Sequence, residues 1–280
     1  MTPTVSALLA EASHQLACVE LAEARREAQV LLGHVLGQSR AWLSGHAVDH
    51  VDQSAVATFR QLVDRRRSGE PVAYMVGKKE FYGLEFRITP DVLIPRADTE
   101  TLVDAALARI PAGGGDVLDL GTGSGCIAIT IAHERPAARV TAVDISSAAL
   151  SVARQNAEAN GVNVQFFRAS WFESLAGRRF DMIVSNPPYV ATGDPHLQQG
   201  DLRFEPAIAL AGGSDGLADI RLIVANARGY LREQGWLLFE HGHTQACVSR
   251  DLLDNAGFQD LTHVQDIAGL ARVAGGRLLS

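Results

Sequence analysis

The sequence predicts an α/β protein with a doubly wound, mostly parallel sheet, preceded by a small helical domain. Apolar residues recur at helical spacing in residues 1–76, and five short apolar segments alternate with amphipathic ones over residues 116–240. Two closing segments near 258–264 and 270–278 complete seven predicted strands. Alternating strands and helices imply right-handed crossovers, which place helices on both faces of the sheet.

Composition describes a globular protein and argues against several classes. The chain has 280 residues, 47% of them hydrophobic, and no apolar run approaches the roughly 18 residues of a membrane span. Its start lacks the basic flank of a signal peptide. The three cysteines form neither a metal spacing nor a disulfide framework, and His241 and His243 lack a third ligand. We therefore expect a cytoplasmic protein with no bound metal and no membrane association.

Charge is distributed unevenly along the chain. Residues 1–80 contain nine Lys or Arg and nine Asp or Glu, whereas the remaining 200 residues contain 16 and 23, respectively. That larger part therefore carries the whole net charge of −7. Because nucleic-acid binding normally uses a basic face, the acidic part argues against a stable nucleic-acid complex and suits a basic protein partner.

Residues 1–76 are predicted to form a helical domain. Apolar positions from Leu21 to Leu36 recur at helical spacing, and a second helix fits Gln53–Arg67. The run Arg65-Arg66-Arg67 is interpreted as a solvated helix end that the helix dipole favours. Since this segment contains no catalytic constellation, we expect it to dock the substrate.

A β-hairpin linker is predicted over residues 77–97, because apolar and polar residues alternate across 80–95. The third predicted domain covers residues 98–280 and begins with an apolar helix over 102–110. Asp98 or Thr99 is expected to cap that helix, which explains both residues adequately. A role at a cofactor site does not follow from their spacing.

A glycine-rich loop follows the predicted strand Asp116–Leu120 and precedes a predicted helix, Cys126–Glu134. Glycines let the backbone approach a ligand, and the N–H groups of a helix start face it. Cys126 occupies the third glycine position of the dinucleotide pattern, so the loop alone indicates a nucleotide-type cradle only weakly. Its residues are Gly121, Thr122, Gly123, Ser124 and Gly125.

Asp144 and Trp171 follow the next two predicted strands. Asp144 comes 23 residues after Gly121, roughly where a ribose-binding carboxylate is found in such folds. It also suits the cap of the next helix, and both roles can hold together. Trp171 suits either stacking on an adenine or a place in the core, and the sequence does not decide between them.

The stretch Asn186-Pro187-Pro188-Tyr189 ends a predicted buried strand and organises the rest of the chain. Two prolines cannot continue a sheet ladder, so a stiff turn is expected at the sheet edge where α/β proteins bind ligands. The Asn186 oxygen and the Pro187 carbonyl can accept hydrogen bonds from a substrate NH2 group, on which Tyr189 can stack. This chemistry suits a planar nitrogen that is a poor nucleophile.

Together these motifs resemble the class I S-adenosylmethionine-dependent methyltransferases, and among them the release-factor glutamine N5-methyltransferases. The resemblance rests on D-L-G-T-G-S-G, S-W-F and S-N-P-P-Y, together with L-I-P-R-A-D-T-E, D-P-H-L-Q-Q-G-D-L-R-F-E-P and L-F-E-H-G. It implies a Rossmann-like methyltransferase sheet and methylation of the Gly-Gly-Gln glutamine of class I peptide chain release factors. Ala97 stands where the family pattern has proline, and Ser124 replaces a common threonine.

The resemblance also implies a role for each motif residue. Contact with S-adenosylmethionine is implied for Gly121, Thr122, Gly123, Ser124, Gly125, Asp144, Trp171 and Asn186. Substrate binding is implied for Asn186, Pro187, Pro188 and Tyr189, of which all but Pro188 are also expected to act in catalysis. The expected mechanism is direct SN2 transfer without a strong base. Arg203, Phe204 and Glu205 are candidates for recognising the partner.

Two other functions are consistent with parts of the sequence. An adenine N6-methyltransferase acting on DNA or RNA would use the same N-P-P-Y chemistry, but the acidic larger part of the chain argues against it. A non-catalytic protein that senses the cofactor is the second alternative. The intact glycine loop and the intact N-P-P-Y turn argue against that one.

Overall fold

The computed structural model describes residues 2–18 and 23–279, which divide into two compact units bounded as Met1–Gly77 and Lys78–Ser280. Leu21, part of the predicted helical pattern, lies outside the described residues. Among the residues described, no helix is both long enough and apolar enough to cross a membrane.

The first unit is helical in the part of it that the structure describes. Its largest fully buried side chains include Leu8, Leu31 and Phe59, which belong to one hydrophobic cluster. The predicted helix Gln53–Arg67 has the predicted bounds, because Asp52 accepts hydrogen bonds from two N–H groups of its first turn. The helices are α1 Val5–Ala17, α2 Ala24–Leu36, α3 Arg40–Gly45, α4 Gln53–Arg67 and α5 Val72–Val76.

Arg66 corrects the interpretation of the arginine run as a solvated helix end. Its side chain is buried and donates two hydrogen bonds to the Glu27 carboxylate, at 2.8 Å from Nε and 2.9 Å from Nη2. It also donates to the carbonyls of Gly69 and Glu70. Arg65 and Arg67 are exposed, as the prediction requires. The middle arginine thus joins α4 to α2.

The hairpin linker is shorter than predicted. Strands β1 Lys78–Phe81 and β2 Leu84–Arg87 pair antiparallel, and the turn residues Tyr82 and Gly83 both have positive φ, as a tight two-residue hairpin requires. Residues 88–95 form no strand. The Arg87 N–H, at the end of β2, donates to the Asn156 side chain.

The second unit contains a seven-stranded sheet of order β5-β4-β3-β6-β7-β9-β8. The first five strands of that order are parallel, whereas β9 is antiparallel to both of its neighbours. This confirms the doubly wound, mostly parallel α/β prediction. The strands are β3 Asp116–Leu120, β4 Arg139–Asp144, β5 Val164–Arg168, β6 Phe180–Ser185, β7 Leu231–Glu240, β8 Gln259–Gln265 and β9 Ala271–Arg277.

Helices pack against the sheet, and the predicted helix Cys126–Glu134 has the predicted bounds. These helices are α6 Glu100–Leu107, α7 Cys126–Glu134, α8 Ser147–Ala159, α9 Ala218–Ala227 and α10 Ala246–Asn255. The start of α6 differs from the prediction, because a 3-10 turn over Ala97–Thr99 precedes it and the Thr99 side chain makes no capping hydrogen bond. The Thr99 hydroxyl therefore does not cap α6.

The register of the central strands determines which residues meet at the carboxyl edge of the sheet. Leu120 pairs with Val143 on one side and with Ser185 on the other, and Ser185 pairs with Phe239. In parallel strands the residues that follow such partners lie at one level. This edge row consists of Asp144, Gly121, Asn186 and Glu240.

We expect Glu27→Ala to lower the free energy of unfolding by about 3 kcal/mol, because it leaves the buried Arg66 guanidinium without its carboxylate. Urea unfolding followed by circular dichroism measures the change.

Glu23→Ala is the matched control. Glu23 pairs with Arg26 on the same helix face, but both side chains are more than half exposed. Exposed pairs of this kind contribute little to stability. Equal losses in the two variants would contradict the assignment of Arg66 as a buried link.

Candidate functional site

A cavity of about 470 Å³ opens at the carboxyl edge of the sheet. Its walls come from the ends of β3, β4 and β6, from residues 90–93 and from residues 206–211. Of the residues that the sequence singles out, it brings together Gly121, Gly123, Asp144, Trp171, Asn186 and Pro188. Open α/β sheets bind ligands at this edge, beside the point where the strand order reverses.

Asp144 is fixed by backbone donors on both sides. The Gly123 N–H donates to Oδ2 at 2.9 Å, and the Ser146 N–H donates to Oδ1 at 2.8 Å. Burial raises the pKa of Asp144, and these hydrogen bonds oppose that rise. Ser146, rather than Asp144, caps α8. Each carboxylate oxygen keeps a further lone pair, with which it can accept a ligand hydroxyl.

Trp171 lies beside the glycine loop. A Cβ atom built on Gly121 would meet its ring at 3.4 Å, so the ring and the loop backbone are in near contact. The Trp171 backbone has a left-handed φ of 48°, a conformation that concentrates at functional sites. Asp219 lines the same cavity; burial raises its pKa, and the Trp171 side chain opposes that rise. Trp171 is half-buried and packs against the core while lining the cavity.

The other loop residues lie behind the cavity wall. Thr122 and Ser124 are buried, and the Thr122 hydroxyl donates to Asp119 Oδ2 at 2.6 Å. Burial raises the pKa of Asp119 to about 7, although the Thr122 hydrogen bond opposes the shift. Gly125 begins α7 at a φ of 85°. These three residues support the loop and do not line the cavity.

The two ends of the N-P-P-Y turn have different surroundings. Asn186 lines the cavity and donates from Nδ2 to the Thr99 hydroxyl at 3.1 Å. Pro188 also lines the cavity, whereas Pro187 and Tyr189 do not. The Tyr189 hydroxyl donates to Glu240 Oε1 at 3.0 Å, and burial beside that carboxyl raises the Tyr189 pKa.

Thr99 and Glu240 are two site residues that the sequence did not reveal. The sequence predicts that Thr99 caps a helix, and it assigns Glu240 no role beyond its place in a family motif. They lie 87 and 54 residues from Asn186 in the chain, so no local spacing links them to it. The apolar stretch before Glu240 predicts that the strand end is buried, and this is the sequence signal that points to Glu240.

The position of Glu205 argues against the expectation that this residue recognises a partner. Its side chain is buried, accepts from the Ile94 N–H at 3.2 Å and pairs with Arg96. These contacts tie the loop that follows the N-P-P-Y turn to residues 94–96. Phe204 is partly exposed, and the Arg203 guanidinium lies 5.0 Å from its ring centre. Phe204 and Arg203 remain candidates for recognition. In the part of the chain described, no three His, Cys, Asp or Glu side chains are grouped to hold a metal.

Comparisons with known proteins identify the family. Residues 7–77 match the model of the PrmC N-terminal domain, and residues 98–204 match the methyltransferase small domain. A release factor glutamine methyltransferase of Xylella fastidiosa (strain 9a5c) is 50% identical over 255 residues, which are 90% of this chain and 93% of that protein. The chain belongs to the release factor glutamine methyltransferase family.

Other members of the family match over nearly the full length. The release factor glutamine methyltransferase of Vibrio cholerae is 44% identical over 279 residues, which are 99% of this chain and 98% of that protein. A solved methyltransferase from Pyrococcus furiosus shares the fold, with a TM-score of 0.56 at 18% identity over 79% of this chain and 98% of that one. These findings confirm the resemblance that the motifs indicated.

We expect Gly125→Ala to destabilise the protein more than Gly123→Ala does. Both positions have left-handed φ, which costs an alanine about 1 kcal/mol. A Cβ at Gly125 would also meet Ile129 Cδ1 at 2.7 Å, whereas nothing lies within 4 Å of one at Gly123. Overpacking of this kind adds about 1–3 kcal/mol.

Chemical unfolding of both variants measures that difference, and Gly123→Ala serves as the control for backbone strain alone. Equal losses would mean that α7 shifts freely and that Gly125 is not a packing requirement.

Proposed function

We propose that this protein transfers a methyl group from S-adenosylmethionine to the side-chain amide nitrogen (N5) of a glutamine. Its substrate is the glutamine of the Gly-Gly-Gln motif of class I peptide chain release factors, and the reaction takes place in the cytoplasm. One observation carries this proposal. The Asn186 amide lines the cavity beside the glycine loop, and its Nδ2 group is already bound by Thr99. Its oxygen therefore remains to accept a hydrogen bond from a substrate NH2 group.

The residues around the cavity fit S-adenosylmethionine. Gly121 and Gly123 present backbone without side chains, Asp144 offers carboxylate lone pairs for ribose hydroxyls, and Trp171 offers an aromatic face for the adenine. Thr122, Ser124 and Gly125 act through the loop backbone and its packing. When bound, the cofactor supplies an electrophilic methyl group on a sulfonium centre.

The N-P-P-Y turn orients the amide nitrogen of the substrate. The Asn186 oxygen and the Pro187 carbonyl each accept one of its two hydrogens, so the nitrogen lone pair is directed away from them. Pro188 stiffens the turn, and Tyr189 packs against the amide plane. Positive charge develops on the nitrogen during transfer, and acceptors that are already in place stabilise it. The methylated nitrogen then loses its proton late, so no strong base is needed.

We expect Asn186→Ala to lower kcat by about 10²–10³, because one preorganised acceptor at the developing charge is lost. Affinity for S-adenosylmethionine and thermal stability should change little. Radiolabelled methyl transfer to a purified release factor measures the effect, with the exposed α9 asparagine variant Asn226→Ala as the matched control. Near-normal turnover of Asn186→Ala would rule out this mechanism.

The substrate is tested in the same assay. A release factor whose tip glutamine is changed to alanine should take no label, and neither should duplex DNA or ribosomal RNA. Label on nucleic acid instead would support an adenine N6-methyltransferase. Label on the altered release factor would place the modified residue elsewhere.

We propose further that the helical unit docks the release factor. This unit has a hydrophobic core of its own, and the described residues that line the cavity at the sheet edge all lie between positions 90 and 219. It therefore adds no group to the cavity, and its match to the PrmC N-terminal domain is consistent with a separate role.

Deleting residues 1–76 should accordingly raise the KM for the release factor more than the Kd for S-adenosylmethionine. Calorimetric titration with the cofactor, beside steady-state kinetics with the release factor, separates the two effects. Equal losses in both would argue against a docking role.

A further inference from the structure

Asn156, a buried residue of α8, hydrogen-bonds two segments that are far apart in the chain. Its Oδ1 atom accepts from the Arg87 N–H at 2.7 Å. Its Nδ2 group donates to the Arg87 carbonyl at 3.1 Å and to the Ser124 carbonyl at 2.8 Å. The side chain is 1% exposed and does not line the cavity. It therefore acts, if at all, through the segments that it holds.

The neighbours of the Asn156 amide determine its orientation. A backbone N–H only donates, so the amide oxygen must face Arg87 N–H. The NH2 group has two protons, and the two carbonyls of Arg87 and Ser124 accept them. With the opposite orientation, the oxygen would face two carbonyls and the NH2 group would face an N–H. The three hydrogen bonds thus form one matched set, and a buried amide with all its protons bound is held firmly.

The Ser124 contact holds the glycine loop on α8. Ser124 is buried and lies between Gly123, which lines the cavity, and Gly125, which precedes α7. A Cβ atom built on Gly125 would meet Ala153 Cβ at 3.2 Å, so the loop backbone approaches α8 closely three residues before Asn156. A packing contact and a hydrogen bond at adjacent loop residues therefore position the loop against the same helix.

The Arg87 contact holds a second wall of the cavity. Arg87 ends β2, and residues 90–93, which line the cavity, follow it closely. At the other end of this segment, the Ile94 N–H donates to the buried Glu205 carboxyl at 3.2 Å. Residues 90–93 therefore lie between two side-chain anchors. Because Asn156 also holds the glycine loop, it sets the spacing between that loop and residues 90–93.

We propose that Asn156 is a positioning residue for the cofactor, because it fixes two walls of the cavity relative to each other before S-adenosylmethionine binds. A site that is already formed binds more tightly, since less ordering accompanies binding. The inference rests on the proposed function for the identity of the cofactor. The side-chain hydrogen bonds described for Asn156 do not include the N-P-P-Y turn. Asn156 should therefore affect cofactor affinity rather than the transfer step.

Asn156→Asp tests the proposal, because it keeps the shape of the side chain and an acceptor for the Arg87 N–H but replaces the NH2 group. We expect the Kd for S-adenosylmethionine to rise about tenfold, since the hydrogen bond that holds the loop is lost and an oxygen faces two carbonyls. At saturating cofactor, kcat and the KM for the release factor should stay close to wild-type values. Calorimetric titration and steady-state kinetics measure these quantities. A wild-type Kd, or a kcat that falls as far as the Kd rises, would overturn the proposal.

Asn160→Ala is the matched control on the same helix. Asn160 lies one turn after Asn156 and donates from Nδ2 to the Glu85 carbonyl at 3.1 Å. It therefore joins α8 to β2, as Asn156 does, but its described side-chain contacts do not include the glycine loop. We expect this variant to keep the wild-type Kd for S-adenosylmethionine. An equal rise in Kd in both variants would mean that attachment of the hairpin alone matters, and it would contradict the role assigned to Asn156.

Amide hydrogen exchange tests the positioning without a cofactor. The N–H groups of Gly123 and Gly125 are hydrogen-bonded to Asp144 and to the Thr122 carbonyl. They should exchange faster with solvent in Asn156→Asp than in the wild type and in Asn160→Ala. Equal exchange in the three proteins overturns the proposal, whether or not S-adenosylmethionine is the cofactor. Failure of the wild-type protein to bind S-adenosylmethionine would instead contradict the proposed function alone.

The wild-type protein supplies a test that does not depend on the folding of any variant. Arg87 does not line the cavity, but Asn156 joins it to the glycine loop. Addition of S-adenosylmethionine should therefore slow exchange of the Arg87 N–H together with that of Gly125. The Gly83 N–H, which donates to Glu80 within the hairpin, is the control and should not change. Slowing at Gly125 without slowing at Arg87 would overturn the proposal.

Discussion

The lateral register of four parallel strands is the constraint on which the rest of the site depends. Because Leu120, Val143, Ser185 and Phe239 are paired neighbours, the residues after them share one edge. Ser185 strengthens this alignment by donating its hydroxyl to the Leu120 carbonyl at 2.8 Å. The edge of the sheet therefore carries the glycine loop, Asp144, Asn186 and Glu240 side by side. No long loop is needed to position them. A one-residue slip of β6 would move Asn186 out of this row.

Local patterns predicted the parts of the site that lie within single segments. The glycine loop, Asp144 and the N-P-P-Y turn each end a strand with an apolar, buried sequence, so their place at the carboxyl edge follows from periodicity and topology. The contacts between distant segments could not be predicted in this way. Thr99 has the sequence context of a helix cap, and only the folded chain brings its hydroxyl to Asn186. The contact between Asn156 and the Arg87 N–H likewise joins segments that are far apart in the chain.

Carboxyl groups concentrate behind and along this edge, and burial raises the pKa of four of them: Asp119, Asp144, Glu205 and Glu240. Burying such groups is unfavourable unless they are hydrogen-bonded, and each of the four receives at least one donor. Carboxyl groups with shifted pKa values cluster at functional sites. Of the four, Asp144 lines the cavity that is proposed to bind a cationic sulfonium, and its ionised form would stabilise that charge.

The loop after the N-P-P-Y turn is closed at its base rather than along its length. Val190 donates to the Leu210 carbonyl, Gly212 donates to the Val190 carbonyl, and Glu205 is held near Arg96. Residues 193–203 between these ties are mostly exposed. Because lengthening a loop that is already closed costs little free energy, this segment can gain, lose or exchange residues while the cavity wall stays in place. Evolution can therefore alter what the loop meets outside the cavity without altering the groups inside it.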